Sequence, residues 1–149
     1  MLGGMSGERE VSLRSGANVI AALRRANIDA ITVDPRAEGW LATLTEYSPD
    51  AVFLALHGRG GEDGEMQGFL DTLGYRYTGS GVLASSLAMN KLKTKQILQI
   101  EGLPTPPWVA IAVDDDVRAR VDDVADSLGF PLIVKPVAEG SSLGVTVVR

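Results

Sequence analysis

Apolar residues recur along this chain at two spacings, and the two spacings alternate. Val19, Leu23 and Ala26 stand at i, i+4 and i+7, which predicts an amphipathic helix over about residues 11–26. Asp29 to Val33 follows as a short strand, ended by Asp34-Pro35. Trp40 to Tyr47 has the length of a short helix. Ala51 to Leu56 is an uninterrupted apolar run, the pattern of a strand covered on both faces of a parallel sheet. Met66 to Leu73 and Val82 to Met89 read as helices. Strand and helix in this alternation predict an open α/β sheet.

The pattern changes at Asn90. Asn90 to Lys95 opens a basic helix that ends near Gly102, and Leu103 to Pro107 is a proline-rich joint. Trp108 to Val113 reads as a strand. Asp115 to Leu128 reads as a helix with Val117, Val121, Val124, Ala125 and Leu128 on one face. Pro131 to Lys135 is a strand, a Gly/Ser loop follows, and Val145 to Arg149 is a strand again. A domain boundary is placed near Ala88, giving units of 1–88 and 89–149. Both ends are abrupt. Leu2 closes a strand with almost no body, and nothing follows the last strand to cover it, so the chain reads as a piece of a longer protein.

Composition narrows the function classes. Apolar residues make up 45% and charged residues 22%, which excludes disorder as a description of the whole chain. A net charge of −5 is not the basic footprint of a nucleic-acid binder, and no basic amphipathic stretch suggests a membrane surface. The absence of cysteine excludes disulfides, thiolate zinc sites and Cys nucleophiles. The apolar runs are far shorter than the roughly 20 residues of a membrane span. A cytoplasmic protein is expected. Glycine stands out, with 17 of 149 residues, and it is clustered. Such clusters let a ligand approach the backbone closely.

Four clusters carry the candidate chemistry. Gly3-Gly4-Met5-Ser6-Gly7-Glu8 lies where a strand gives way to a helix, the position at which open α/β sheets bind ligands. Glu8 either complements the dipole of that helix or holds a cationic group of a ligand. His57-Gly58-Arg59-Gly60-Gly61-Glu62-Asp63-Gly64-Glu65 follows the buried strand and contains the single histidine. One His and scattered acids fall short of a metal site, and Asp63 could simply cap the next helix. Gly79-Ser80-Gly81 matches the letters of a dinucleotide fingerprint but comes too late in its domain, so a helix-start turn is the better reading. Lys135, with Glu139-Gly140-Ser141-Ser142-Leu143-Gly144, is either an ordinary glycine-rich hairpin or a phosphate-binding turn in which backbone N–H groups, hydroxyls and lysines converge. Lys91 would add a second charge. The turn is not a Walker A loop, because Gly-Lys-Ser/Thr is absent and no helix follows.

Taken in order, these runs resemble the D-alanine–D-alanine ligases, an ATP-grasp family. Leu2 to Ser12 resembles the opening motif, Ala55 to Gly64 the second, and Tyr77 to Gly81 with Met89-Asn90-Lys91 the third. Val134-Lys135-Pro136 with Glu139 to Gly144 resembles the phosphate-clamping loop. The resemblance spans the whole chain but only about the first half of a family member. It implies a Rossmann-like, pre-ATP-grasp open parallel sheet followed by the start of an α+β ATP-grasp domain. It implies ATP-dependent joining of two D-alanines through an acyl phosphate, for peptidoglycan precursors. A D-alanyl-D-lactate or D-alanyl-D-serine ligase, or a non-catalytic piece, are the alternatives.

By the same resemblance, Glu8 would bind the ammonium of the first D-alanine, with His57 and Glu62 at that pocket. Ser141 would hydrogen-bond in a network with Glu8. Lys91, Lys135, Gly140, Ser141 and Ser142 would hold ATP. Magnesium carboxylates belong to the family's C-terminal domain, so no metal ligand is expected in this segment, and the segment alone is expected to be inactive. The family is usually a homodimer. Gly7 and Asn90 depart from the commoner residues at their positions, the second affecting at most a helix cap.

Overall fold

The computed structural model describes residues 1–149. Helix α1 (Arg9–Arg25) starts immediately after the first glycine cluster, with Arg24 and Arg25 in its last turn, where cations complement the helix dipole. Helices α2 (Trp40–Tyr47), α3 (Glu65–Thr72) and α4 (Val82–Met89) follow near their expected positions. Helix α5 (Lys91–Ile100) is separated from α4 by Asn90 alone. Asn90 is extended and caps α5 by accepting from the Lys93 N–H at 3.0 Å. Asp116 likewise caps α6 (Val117–Leu128), accepting from the N–H groups of Arg118 and Ala119. Strands β1 (Leu132–Val134) and β2 (Thr146–Val148) pair antiparallel, Ile133 opposite Val147.

The N-terminal sheet is held by few but consistent backbone bonds. Leu2 N–H donates to Val33 O. On its other side, the Met1 amine donates to Phe53 O and Ala55 N–H donates to Met1 O, the slanted pattern of a parallel pair. Val52 then bridges Tyr77, again parallel. Four extended segments therefore lie side by side in the order 31–33, 1–2, 52–55, 76–78. The last three run parallel, as expected of the first unit, although only the Val52–Tyr77 contact is a full bridge. The core is small: Val33, Leu44, Val52 and Leu70 are buried together, with Trp40 tilted against Phe69 at 5.3 Å.

Three expectations need correction. Ala51 to Leu56 is not covered on both faces, since Phe53 is 44% exposed and an open apolar cavity of about 510 Å³ lies between α1 and this segment. Trp108 to Val113 forms no strand, because residues 104–111 exchange no backbone hydrogen bonds with a neighbour. The apolar face of α6 is not buried either, with Val117 and Val121 each 53% exposed. An apolar stripe is covered only where another layer faces it, and the only sheet near α6 in sequence is the two-stranded β1–β2. No residue beyond Ser85 is buried.

Candidate functional site

The first glycine cluster is clamped from two directions. Asp34 accepts from the Gly4 N–H at 3.0 Å and from both terminal nitrogens of Arg9, at 3.1 and 2.7 Å. Arg9 also donates to Gly4 O. The hydrogen bond from Arg9, helped by the N–H groups of Arg36 and Gly4, holds the Asp34 carboxyl down to about 2, well below its ordinary value. On the other side, buried Ser12 accepts from Gly3 N–H at 2.8 Å and donates to Ala55 O at 2.6 Å. Gly3 and Gly4 both carry positive φ, 81° and 77°, which a side chain would make costly.

This clamp fixes the start of α1 and so places Glu8. Glu8 is the residue that precedes the helix, yet its side chain caps nothing. The residue is 7% exposed, and its Oε1 has no hydrogen-bond partner. A simple dipole-complementing cap at a helix start would leave the carboxylate in water. The neighbouring Ser6 hydroxyl accepts from Glu8 N–H and donates to His57 O at 2.6 Å, tying the first motif to the second.

The second motif is organised by its own acids. Glu62 Oε2 accepts from the Gly58 N–H at 2.8 Å, and Asp63 accepts from both Gly60 N–H and Glu65 N–H. Asp63 thus does serve the start of α3, as the plainer reading had it. His57 sits between Ser15 Oγ, 3.1 Å from Nε2, and Glu62 Oε1, 3.5 Å from Nδ1. Glu8, His57 and Glu62 come together, each offering a ligand atom within 4.8 Å of the others. The acids that look scattered in sequence converge here, because the chain folds the second loop back against the start of α1.

The phosphate-type loop closes the site from the far side. Lys91, Lys135, Gly140, Ser141, Ser142 and Glu62 all line one cavity of about 450 Å³. Lys91 Nζ donates to Glu139 O, and its backbone N–H donates to Val137 O at 2.9 Å. The N–H groups of Gly140, Ser141 and Ser142 donate to no protein acceptor. Ser141 and Ser142 both hold positive φ, 46° and 64°, and such a turn leaves successive N–H groups free to converge on an anion. The hydrogen bond expected between Ser141 and Glu8 is not formed. Gly140 faces the carboxylate instead: a side-chain carbon built there would lie 2.5 Å from Glu8 Oε1. Leu143 similarly reaches the backbone at Gly7.

Every residue proposed from sequence therefore lies in one of two adjoining places, the Glu8 pocket or the lysine cavity, with Glu62 on both. The clamp residues Arg9, Asp34 and Ser12 escaped sequence reasoning. Their signal is faint: Ser12 is a polar residue one turn after Glu8, and Asp34 looks like an ordinary Asp-Pro strand end. Gly79-Ser80-Gly81 is, as read, a helix-start turn, with Ser85 Oγ donating to Ser80 O at 3.3 Å.

Comparison with known proteins agrees with this geometry. Residues 36–80 match the family model for the D-ala D-ala ligase N-terminus, and residues 97–149 match that for the D-ala D-ala ligase C-terminus. A D-alanine–D-alanine ligase of Stutzerimonas stutzeri is 54% identical over 145 residues, covering 97% of this chain and 45% of the relative. One from Pseudomonas entomophila is 53% identical over 149 residues, covering 100% of this chain and 45% of the relative. The crystal structure of D-alanine–D-alanine ligase from Bacillus anthracis superposes with a TM-score of 0.80 at 40% identity, covering 99% of this chain and 47% of that one. The same enzyme complexed with ATP gives 0.80 at 37% identity, covering 99% and 48%. The chain spans about half the length of the curated relatives it matches. With ordered motifs, a matching fold and matches at both ends, the chain belongs to the D-alanine–D-alanine ligase family.

Proposed function

We propose that these residues form the first D-alanine site and one wall of the ATP site of a D-alanine–D-alanine ligase, in which ATP drives the joining of two D-alanines for peptidoglycan precursors. The observation that carries this reading is the buried Glu8 carboxylate, whose Oε1 lacks a partner and lies against Gly140 of the phosphate-type loop. A buried anion without a partner is costly, and an ammonium ion would relieve that cost. The amino acid held there would have its carboxylate beside the lysine cavity.

A carboxylate is a poor electrophile, and converting it to an acyl phosphate provides a leaving group for attack by a second amine. ATP supplies that phosphoryl group. Lys91, Lys135 and the free N–H groups of Gly140, Ser141 and Ser142 fit its phosphates, since positioning and charge neutralisation dominate such transfers. His57 and Glu62 shape the pocket beside Glu8. Residues 1–88 would form the substrate unit and 89–149 the first part of the ATP-grasp unit, joined at the Asn90 break. The whole enzyme would be a cytoplasmic homodimer. No helix here is long and apolar enough to cross a membrane.

Magnesium fits this segment poorly. Of the acids lining the lysine cavity, Glu62 already accepts from Gly58 and faces His57, and Lys91 bonds the Glu139 backbone, so no oxygen-rich octahedral set faces the phosphates. The test is ADP release by the full-length ligase containing these residues, with ATP and magnesium. D-alanine alone should trigger release and yield the dipeptide. Release only with added D-lactate or D-serine would change the product, and no release would remove the ligase reading.

A further inference from the structure

We propose that the apolar cavity of about 510 Å³ beside α1 is a strand slot, filled by an extended, uninterrupted apolar segment joined to Met1 through its nitrogen. The inference rests on the sheet and does not depend on the ligase reading. Residues 28–33 line one side of the cavity and residues 48–53 another. Met1 and Leu2 already bond to both sides, through Phe53 O and Val33 O. A parallel ladder repeats every second residue, so its next partners beside residues 52–55 would be Ala51 O and Phe53 N–H. Neither group has a hydrogen-bond partner in the protein, and across the cavity Ile31 O and Val33 N–H are likewise unpaired. Such rows of free backbone groups are a template for strand addition.

The chemistry of the segment follows from Met1 and Leu2. Leu2 lies against Gly16 of α1, whereas Met1 packs on the core cluster that holds Leu44 of α2. Successive residues of a strand point to opposite faces. The cavity presents Val19, Ile20 and Leu23 of α1, and Leu44 and Tyr47 of α2. A strand in the slot would therefore meet an apolar layer on both faces, which calls for consecutive apolar residues rather than alternation. Residues 28–31 precede the Leu2–Val33 bond, so the slot takes about four residues at roughly 3.3 Å each. Ile28 and Phe53, 52% and 44% exposed, would be covered. The Met1 nitrogen favours a joined segment over a separate one. Burial lowers its amine from 8.0 to about 6, while it donates to Phe53 O. A peptide bond at that nitrogen keeps the donor and removes the charge. A separate peptide would instead bring a second charged end into an apolar cavity.

The experiment extends the 149-residue chain ahead of Met1 in three ways: by Val-Ile-Val-Ile, by Ser-Gly-Ser-Gly and by Val-Ile-Pro-Ile. The proline stands two positions ahead of Met1 and lacks the N–H that would donate to Ala51 O, while most of the apolar area remains. Thermal melting and residue-resolved amide hydrogen exchange are compared with the unextended chain. Val-Ile-Val-Ile should raise the melting temperature by about 5 °C or more and slow exchange of the Phe53 amide by about tenfold or more. The other two extensions should fall well short on both. Equal effects of all three, or unchanged exchange at Phe53, would overturn the slot. The Phe53 amide reports on the slot itself, so the test holds even where an extension alters melting by another route. Protection of Phe53 by free Val-Ile-Val-Ile peptide, but not by the fused segment, would give the cavity to a separate chain and overturn the joined strand.

Discussion

Gly140 lies so close to Glu8 that a methyl group in place of its hydrogen would stand 2.5 Å from Glu8 Oε1. The two residues come from opposite ends of the chain, one from the start of α1 and one from the turn after β1. The Glu8 pocket and the glycine-serine turn are thus in contact. Gly140 does not hold positive φ, so its backbone accepts alanine, and the atom in the way is the far end of a flexible side chain. Gly140→Ala should therefore change stability by no more than about 0.5 kcal/mol. It should displace the carboxylate and raise the KM for the first D-alanine by about tenfold or more in a full-length ligase. An unchanged KM would mean that the carboxylate moves without consequence.

Glu8→Gln keeps the shape of the side chain and removes its charge. A hydrogen bond to a charged group is worth about 1.5–3 kcal/mol, so the KM for the first D-alanine should rise by roughly 10- to 100-fold. Stability should hold or improve slightly, because a buried, unpartnered charge is gone. Steady-state kinetics beside thermal melting separates the two effects. Normal kinetics in this variant would remove Glu8 from the site.

Lys135 stands at the end of β1, exposed, on the wall of the lysine cavity. Lys135→Ala removes a point charge from the proposed phosphate site and little packing. ATP affinity should fall by about tenfold or more while the melting temperature stays put. Nucleotide titration of the variant decides the matter, and wild-type affinity would take Lys135 out of the ATP site.

The sequence carries the α/β alternation well because periodicity records local burial. Helices α1 to α6 fall within a few residues of their expected spans. It fails at Trp108 to Val113, where strand-forming residues find no pairing partner, and at the α6 stripe, where apolar spacing finds no opposing layer. Whether a strand or a face is completed depends on neighbours distant in sequence. The candidate site shows the same division. Glu8, His57 and the lysines stand in recognisable motifs. The convergence of Glu8 with His57 and Glu62, and the contact of Gly140 with Glu8, exist only once the loops are folded together. Arg9 and Asp34 are 25 residues apart and carry no sequence signal for their pairing.

That pairing gives the last prediction. Hydrogen bonding from Arg9, assisted by the Arg36 and Gly4 N–H groups, lowers the Asp34 carboxyl from 3.8 to about 2. A carboxyl depressed in the folded state binds its proton more readily when unfolded, so its contribution to stability is complete above about pH 4 and disappears between about pH 4 and pH 2. The pair is partly solvated, so the contribution is about 1–2 kcal/mol rather than the full value of the shift. Arg9→Met removes the main cause, and the acid transition should move to higher pH. Asp34→Asn cannot titrate. It should be less stable at neutral pH, where the ion pair is lost, and should lose less further stability on acidification than the wild type. Chemical denaturation of the three proteins across this range measures both slopes. Parallel curves for wild type and Asp34→Asn would show that Asp34 is not depressed, and that the clamp on Gly4 rests on its backbone hydrogen bonds rather than on the ion pair.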